Sequence, residues 1–386
     1  NGGGIMMAEG TDVTLADGAM IAGNETSGSG GGVYNEGTLL MTGTAQIGKK
    51  DNPNKASKGG GIYNKGTVYL GNEENELTGG IFYNNTSDAA GAGIYIDNDA
   101  TVVMNSGYIS YNSSQGPYAY GQGVCCDGNF TMKNGEISHN SCGEFTSGAI
   151  ILNGGGVLVG DNGTFNMNNG LIVDNMASNG GGVYVKGVFN FSGGVIKENK
   201  AYQTKIGGTD KRGSGIFIEQ GTFRISGSAY VPKCTTENND PTMVNNSNDI
   251  YVEDRSKHGH EGTNIITIAG KLTPPAEANG IVATITPQTY DAEIPALQYE
   301  LADGQTETSL ANECGKFAVM PDEKNYAVDY EGKLREVVTY GDKNYPKYSI
   351  SESGKLAQLF EVMNTNAEFN TQIYISIEDD LTLTNH

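Results

Sequence analysis

A Gly-x-Gly-[Ile/Val] signal returns throughout the first 272 residues, with its aliphatic residue at Ile5, Val33, Ile62, Ile94, Val124, Val157, Val183 and Ile216. Ile250, after Asn248-Asp249, marks a ninth and degenerate copy. Successive copies lie 28, 29, 32, 30, 33, 26, 33 and 34 residues apart. Recurrence at this period marks a chain built from stacked units, none of which buries a face alone. The unequal spacing excludes a rigid short solenoid and suits coils joined by loops of different length.

Each copy reads as three short strands. The first follows the glycines, as in Ile62-Tyr63-Asn64, Ile94-Tyr95-Ile96, Val183-Tyr184-Val185 and Ile216-Phe217-Ile218. The second alternates, as in Val102-Val103-Met104, Phe165-Asn166-Met167, Phe189-Asn190-Phe191 and Phe223-Arg224-Ile225. Period-two alternation sends the outer members of such a triplet inward and the middle member outward. The third strand centres on Ile81, Ile109, Ile137, Ile172 and Ile196. Gly/Asn turns that tolerate positive φ separate them. Together these features predict an all-β chain, a right-handed parallel β-helix of about nine coils over residues 1–272. At about 4.8 Å per coil the rod would be roughly 40 Å long.

Three residues beyond each third-strand aliphatic stands an asparagine: Asn24, Asn84, Asn112, Asn140, Asn175 and Asn199. Amides stacked one rung apart can hydrogen-bond along the column. Lys50 and Cys234 interrupt it in the second and eighth copies.

The copies Gly180-Gly-Gly-Val-Tyr-Val-Lys-Gly-Val-Phe-Asn-Phe-Ser-Gly-Gly-Val-Ile-Lys-Glu-Asn199 and Gly59-Gly-Gly-Ile-Tyr-Asn-Lys-Gly-Thr67 resemble the adhesin-like β-helix repeats of large bacterial surface proteins. They are also similar to the repeats of polymorphic outer-membrane proteins, with Ile-x-x-Asn in place of Phe-x-x-Asn. The resemblance covers residues 1–272 and implies a parallel β-helix displayed outside the cell, at its surface, and linked to adhesion. It implies no particular ligand.

Composition narrows the classes. The charge is −21, from 24 basic and 45 acidic residues, which repels nucleic acid. No stretch approaches 18 apolar residues, so no helical membrane span is expected. Of the 57 glycines only six follow residue 272, and Pro274-Pro275 marks the change. Residues 273–335 read as a β cap module with strands at 281–286 and 316–334. Residues 336–386 read as a linker, a short helix with Leu356, Leu359, Phe360 and Met363 on one face, and strands at Ile373–Ile377 and Leu381–Leu383 that resemble the entry of a further β-helix. Asn1-Gly2-Gly3-Gly4 recurs at Asn153–Gly156 and Asn179–Gly182, so the chain reads as part of something longer, with head-to-tail self-association as one consequence. The five cysteines match no metal spacing, and adjacent Cys125 and Cys126 point to opposite faces of a strand.

Candidate chemistry is sparse. The outward positions of the second strand, Leu40, Tyr69, Val103, Thr131, Asn166, Asn190 and Arg224, include no acid. The position before the asparagine column runs Tyr83, Tyr111, His139, Asp174, Glu198. Asp174 and Glu198 one rung apart would suit a retaining glycosidase pair, with His139 alongside; solvated turn residues are the plainer explanation, and no catalytic residue is assigned. His258-Gly259-His260-Glu261 offers imidazole and carboxylate donors to a transition-metal ion. It also resembles the Gly-His-Gly element of polygalacturonases, but the aspartate cluster which that resemblance implies is not found; a solvated loop is the plainer explanation, and no metal or other cofactor is assigned. Ca²⁺ at Glu73–Glu76 or Asp97–Asp99 is the one ion the acidic segments offer. The middle residues of the first strand, Tyr34, Tyr63, Tyr95, Tyr184, Phe217 and Tyr251, alternate outward and form either the predicted ligand strip or, where long loops fold over them, a second core. The sequence therefore points to a secreted or surface-displayed bacterial adhesin-like segment, a stalk and binding surface for a glycan or surface protein. A polysaccharide-active lyase or hydrolase and a structural filament subunit are the alternatives.

Overall fold

The computed structural model describes residues 1–72, 81–83, 85–114, 116, 120–142, 152–201, 213–233, 248–254, 264–290, 296–300, 308–321, 324–329, 331–340, 343–350, 360 and 374–377. The chain winds as a right-handed parallel β-helix of about eight turns. The first strands stack in one 11-stranded sheet, in register along Ile5, Val33 and Ile62 at one end and Ile94, Val124 and Val157 further on. Second and third strands form a 16-stranded folded sheet, whose two halves join where Val188–Lys197 runs unbroken through the bend.

The inward positions of these strands make one core. Phe130, Phe165, Phe189 and Phe223 are fully buried and stack on successive rungs, the first three with ring centroids 4.9 and 4.8 Å apart. Methionines at 41, 104, 132 and 167 fill the adjoining column. Burying such side chains contributes about 1.5–3 kcal/mol each, which is what holds coils with so few residues per strand.

The glycine signal has a steric cause, visible at the fifth copy. Gly121 has φ +59°, and a Cβ there would lie 2.5 Å from the Val124 carbonyl oxygen. Gly123 is held by crowding instead: a Cβ would lie 2.5 Å from the carbonyl oxygen of Gly156 and 2.9 Å from Asn140 Nδ2. The middle position varies: it is Gln122 in this copy and Ala92 or Ser214 in others, whereas Gly60 and Gly181 are crowded, a Cβ there lying 2.2 Å from the Thr86 and 2.3 Å from the Lys200 carbonyl oxygen.

Gly123 thus leaves room for the asparagine column. The column runs Asn24, Asn54, Asn85, Asn112, Asn140, Asn175, Asn199, Asn248, each Nδ2 donating to the Oδ1 one rung on. The Nδ2 to Oδ1 distances are 2.9–3.0 Å until the last step, which is 3.5 Å. Asn112, Asn140, Asn175 and Asn199 stand where the spacing placed them. Asn84 lies outside the described residues, and the third-copy member is Asn85, because Phe82 rather than Ile81 pairs with Ile47 and Ile109. Lys50 and Cys234 do not end the ladder: the chain inserts residues after the third strand and supplies Asn54 and Asn248 instead.

Two further differences from the sequence-based expectation concern chain organisation. Each of six copies carries a fourth short strand just beyond the ladder, at Lys55–Lys58, Thr86–Ala90, Ser113–Ser114, Ser141–Cys142, Met176–Ala177 and Lys200–Ala201, forming a sheet of its own. Parallel stacking also continues past residue 272, since Ala283–Pro287 and Phe317–Val319 extend the first sheet and Leu297–Tyr299 pairs with Ile266–Leu272. A helix, Thr308–Cys314, sits in this region, and buried Glu313 accepts from the Leu272 backbone N–H at 2.9 Å and from Lys316 Nζ at 2.8 Å. Residues Leu334–Tyr340 and Lys343–Ile350 pair as an antiparallel hairpin rather than a linker, and Tyr374–Ile377 joins it in parallel. Of the amphipathic segment around residue 356, only Phe360 is described, and it is exposed. Leu381–Leu383 lie outside the described residues.

Candidate functional site

Alternation correctly turns the first-strand rings away from the main core, but they are not a surface strip. Tyr34, Tyr95, Tyr184, Phe217 and Tyr251 are all buried, and Tyr63 is half-buried against the same cluster. Fourth strands cover the middle of the column: Ala90 at the end of Thr86–Ala90 packs among the rings, and Lys58 at the end of Lys55–Lys58 sits over Tyr95, with Nζ 4.7 Å from the ring centroid. The column is therefore a second core and does not present a ligand face.

Within it Tyr34, Tyr63 and Tyr95 stack at 5.4 and 5.0 Å with rings parallel to within 2°. Each hydroxyl donates to a turn carboxylate: Tyr34 to Glu36 at 3.2 Å, Tyr63 to Asp97 at 2.8 Å, Tyr95 to Asp127 at 2.5 Å. Burial, and then the neighbouring carboxylate, raises all three phenols above the ordinary tyrosine value.

The residues before the ladder form a column of left-handed turns. Tyr111, His139, Asp174 and Glu198 have φ of 56°, 54°, 53° and 55°. Non-glycine residues adopt this region sparingly, and each of these turns is followed directly by a ladder asparagine. Side chains at these turns reach solvent. Tyr111 stacks on His139 with centroids 4.6 Å apart, and His139 Nε2 and Lys200 Nζ each lie 3.9 Å from Asp174 carboxylate oxygens. Glu198 occupies the equivalent turn one rung beyond Asp174 and is exposed. The side chain of Tyr83 is outside the described set.

Asp97 is engaged by Tyr63 and by the Asn98 backbone N–H at 3.0 Å, and Asp99 follows in a left-handed turn with φ 63°. Among the described residues no three His, Cys, Asp or Glu side chains group as an ion would need. Glu73–Glu76 and the His258–Glu261 run lie outside the described residues. Cys125, in the ring column, and Cys126, in the main core, are free and buried, and burial raises both thiols.

The aromatics that do reach solvent lie outside the predicted strip. Among the described residues the exposed large apolar side chains are Met6, Met20, Tyr69, Tyr108, Tyr111, Tyr120 and Phe360. The four tyrosines all fall within residues 69–120, on the third and fourth coils. Tyr69 is 39% exposed and sits between Leu40 and Val103 on the outward face of the second strands; Tyr108 is 50% exposed at the start of a third strand, and Tyr111 is 43% exposed. Tyr69 was legible as an outward position. Tyr108 was legible as the residue before an inward Ile109.

The chain matches no protein-family model, no curated protein and no solved structure.

Proposed function

We propose that the chain is a rod-like stalk and binding segment of a secreted, surface-displayed, adhesin-like bacterial protein, and that it binds a neutral glycan at Tyr69, Tyr108 and the Tyr111–His139 stack. The observation that carries this reading is the concentration of exposed tyrosines on two adjacent coils. Aromatic faces pack against the C–H faces of sugar rings, while the phenol keeps a polar contact at the rim. The left-handed turns hold Tyr111 and His139 in fixed orientation, which limits the entropy lost on binding. A net charge of −21 opposes polyanions, so uronate-rich and sulfated chains are disfavoured relative to neutral ones.

The test is binding to an array of neutral and acidic oligosaccharides, repeated with Tyr108→Ala and Tyr69→Ala. Selective binding of neutral members, weakened at least about tenfold by either substitution (about 1.4 kcal/mol), supports the proposal. Binding unaffected by both substitutions refutes it. Release of shortened oligosaccharide that disappears in Asp174→Asn or Glu198→Gln would favour the polysaccharide-active alternative.

A further inference from the structure

Asn-Gly occurs seven times in the chain, and the fold treats these pairs unequally. Asn134-Gly135 and Asn169-Gly170 sit in the bend between second and third strands on adjacent rungs. Met132 pairs with Met167 on one side of this bend, and Glu136 with Leu171 on the other. The bend itself demands the glycine. Gly107, Gly135, Gly170 and Gly194 have φ of 99°, 106°, 101° and 98°. A Cβ at Gly135 would lie 2.6 Å from Met104 Cε and 2.8 Å from the Gly107 carbonyl oxygen. Asn134 and Asn169 are exposed, and among the described residues no group accepts from the Gly135 or Gly170 N–H.

Most other pairs are held. The Gly2 N–H donates to the Ser29 carbonyl at 2.9 Å, Gly154 to Asn179 at 3.0 Å and Gly163 to Gly160 at 2.9 Å. Asn179 is buried, and its Nδ2 donates to Asn153 Oδ1 at 2.8 Å. Asn279-Gly280 lies apart from the bend, in a left-handed turn of its own.

We propose that the fold selects Asn134 and Asn169 as sites of spontaneous covalent modification, each converting through a cyclic imide to aspartate and isoaspartate. The Gly135 N–H loses its proton to hydroxide, and the nitrogen attacks Asn134 Cγ. A new C–N bond closes a five-membered ring, the Cγ–Nδ2 bond breaks, and ammonia leaves with a proton taken from water. A second water then opens the ring. Attack at Cγ restores the main chain and leaves aspartate. Attack at the main-chain carbonyl leaves isoaspartate, with the chain routed through the former side chain. The net balance is one water consumed and one ammonia released at each site. Asn169 reacts in the same way through the Gly170 nitrogen. Glycine suits this step because no side chain crowds its nitrogen. An N–H that already donates must first give up its hydrogen bond, which slows the pairs at Gly154 and Gly163.

Conversion puts two carboxylates one rung apart, about 4.8 Å, where the unmodified chain has neutral amides. Isoaspartate also adds one main-chain carbon between strands whose register is fixed on both sides of the bend.

The experiment holds the full chain at physiological temperature and mildly alkaline pH and follows each Asn-Gly peptide by mass spectrometry. Isoaspartate is identified by labelling with an isoaspartyl methyltransferase. A parallel sample in urea gives the rate of each pair without the fold. In the folded chain Asn134 and Asn169 should convert at least about tenfold faster than Asn153, Asn162 and Asn179 (about 1.4 kcal/mol in barrier). The gap should close in urea. Asn134→Gln, whose longer side chain closes a six-membered ring only slowly, should stay unmodified while Asn169 keeps its rate. Folded-state rates at Asn134 and Asn169 no faster than at the three held pairs, or a gap that persists in urea, overturn the proposal.

Discussion

Asn140 is the sharpest place to perturb this molecule, because its side chain is fully buried and makes four hydrogen bonds. Its Oδ1 accepts from the backbone N–H and the Nδ2 of Asn112, both at 3.0 Å. Its Nδ2 donates to the Ile109 carbonyl and to Asn175 Oδ1, both at 2.9 Å. Asn140→Ala therefore strands two buried donors on Asn112 and empties space beside Gly123. At about 1–3 kcal/mol for each orphaned donor, the substitution should cost about 3–5 kcal/mol. Asn24→Ala at the half-buried end of the same ladder is the internal control. Asn54 Oδ1 keeps its bond from the backbone N–H of residue 24, 3.1 Å in the parent, so only about 1 kcal/mol should be lost. Asn140→Asp sharpens the test. The introduced carboxylate would accept but not donate when ionised, and burial would raise its pKa above the unfolded value of about 3.9. The destabilisation should therefore be largest at neutral pH and shrink as pH falls through the raised folded pKa. Urea unfolding monitored by circular dichroism, with hydrogen exchange over residues 109–142, measures all three variants. Equal costs for Asn140→Ala and Asn24→Ala, or a pH-independent Asn140→Asp, would refute the ladder as a source of stability.

Gly123→Ala forces a Cβ to within 2.5 Å of the Gly156 carbonyl oxygen, so it should destabilise by more than about 2 kcal/mol in the same urea assay, whereas Gln122→Ala should cost clearly less. Phe165→Ala opens a cavity between stacked Phe130 and Phe189 and should cost about 3–5 kcal/mol by thermal or urea unfolding. Burial raises the thiols of Cys125, Cys126 and Cys314, so iodoacetamide at mildly alkaline pH should leave all three unmodified until denaturant is added, as read by peptide mass spectrometry.

The features of this fold written most clearly in the sequence are those fixed by steric exclusion and by alternation. Gly121 and Gly123 leave no room for a larger residue, so the start of each coil is marked. Phe165-Asn166-Met167 alternates cleanly, so its inward pair is marked too. Ile81-Phe82-Tyr83 is apolar throughout, and alternation cannot set its register; backbone pairing of Phe82 with Ile47 and Ile109 sets it and moves the ladder to Asn85. The fourth strands are illegible for the opposite reason. Ser113–Ser114 and Met176–Ala177 are two residues long and carry no pattern, yet strands of this set cover the tyrosine column. That is why Tyr95 read as exposed and is buried. Beyond residue 272 the glycines thin to six while the register persists through Ile285, because hydrogen bonding to the preceding rung needs no glycine.

Tyrosine footprinting with N-acetylimidazole, read by peptide mass spectrometry with and without the tightest-binding neutral oligosaccharide, tests most directly which aromatic surface is available to a ligand. Tyr69, Tyr108 and Tyr111 should acetylate rapidly in the free protein and become protected by the oligosaccharide, while Tyr34, Tyr95, Tyr184 and Tyr251 should stay unmodified until the chain unfolds. Rapid acetylation of the column tyrosines in the folded protein, or an oligosaccharide that leaves the rates at Tyr69, Tyr108 and Tyr111 unchanged, would contradict the account.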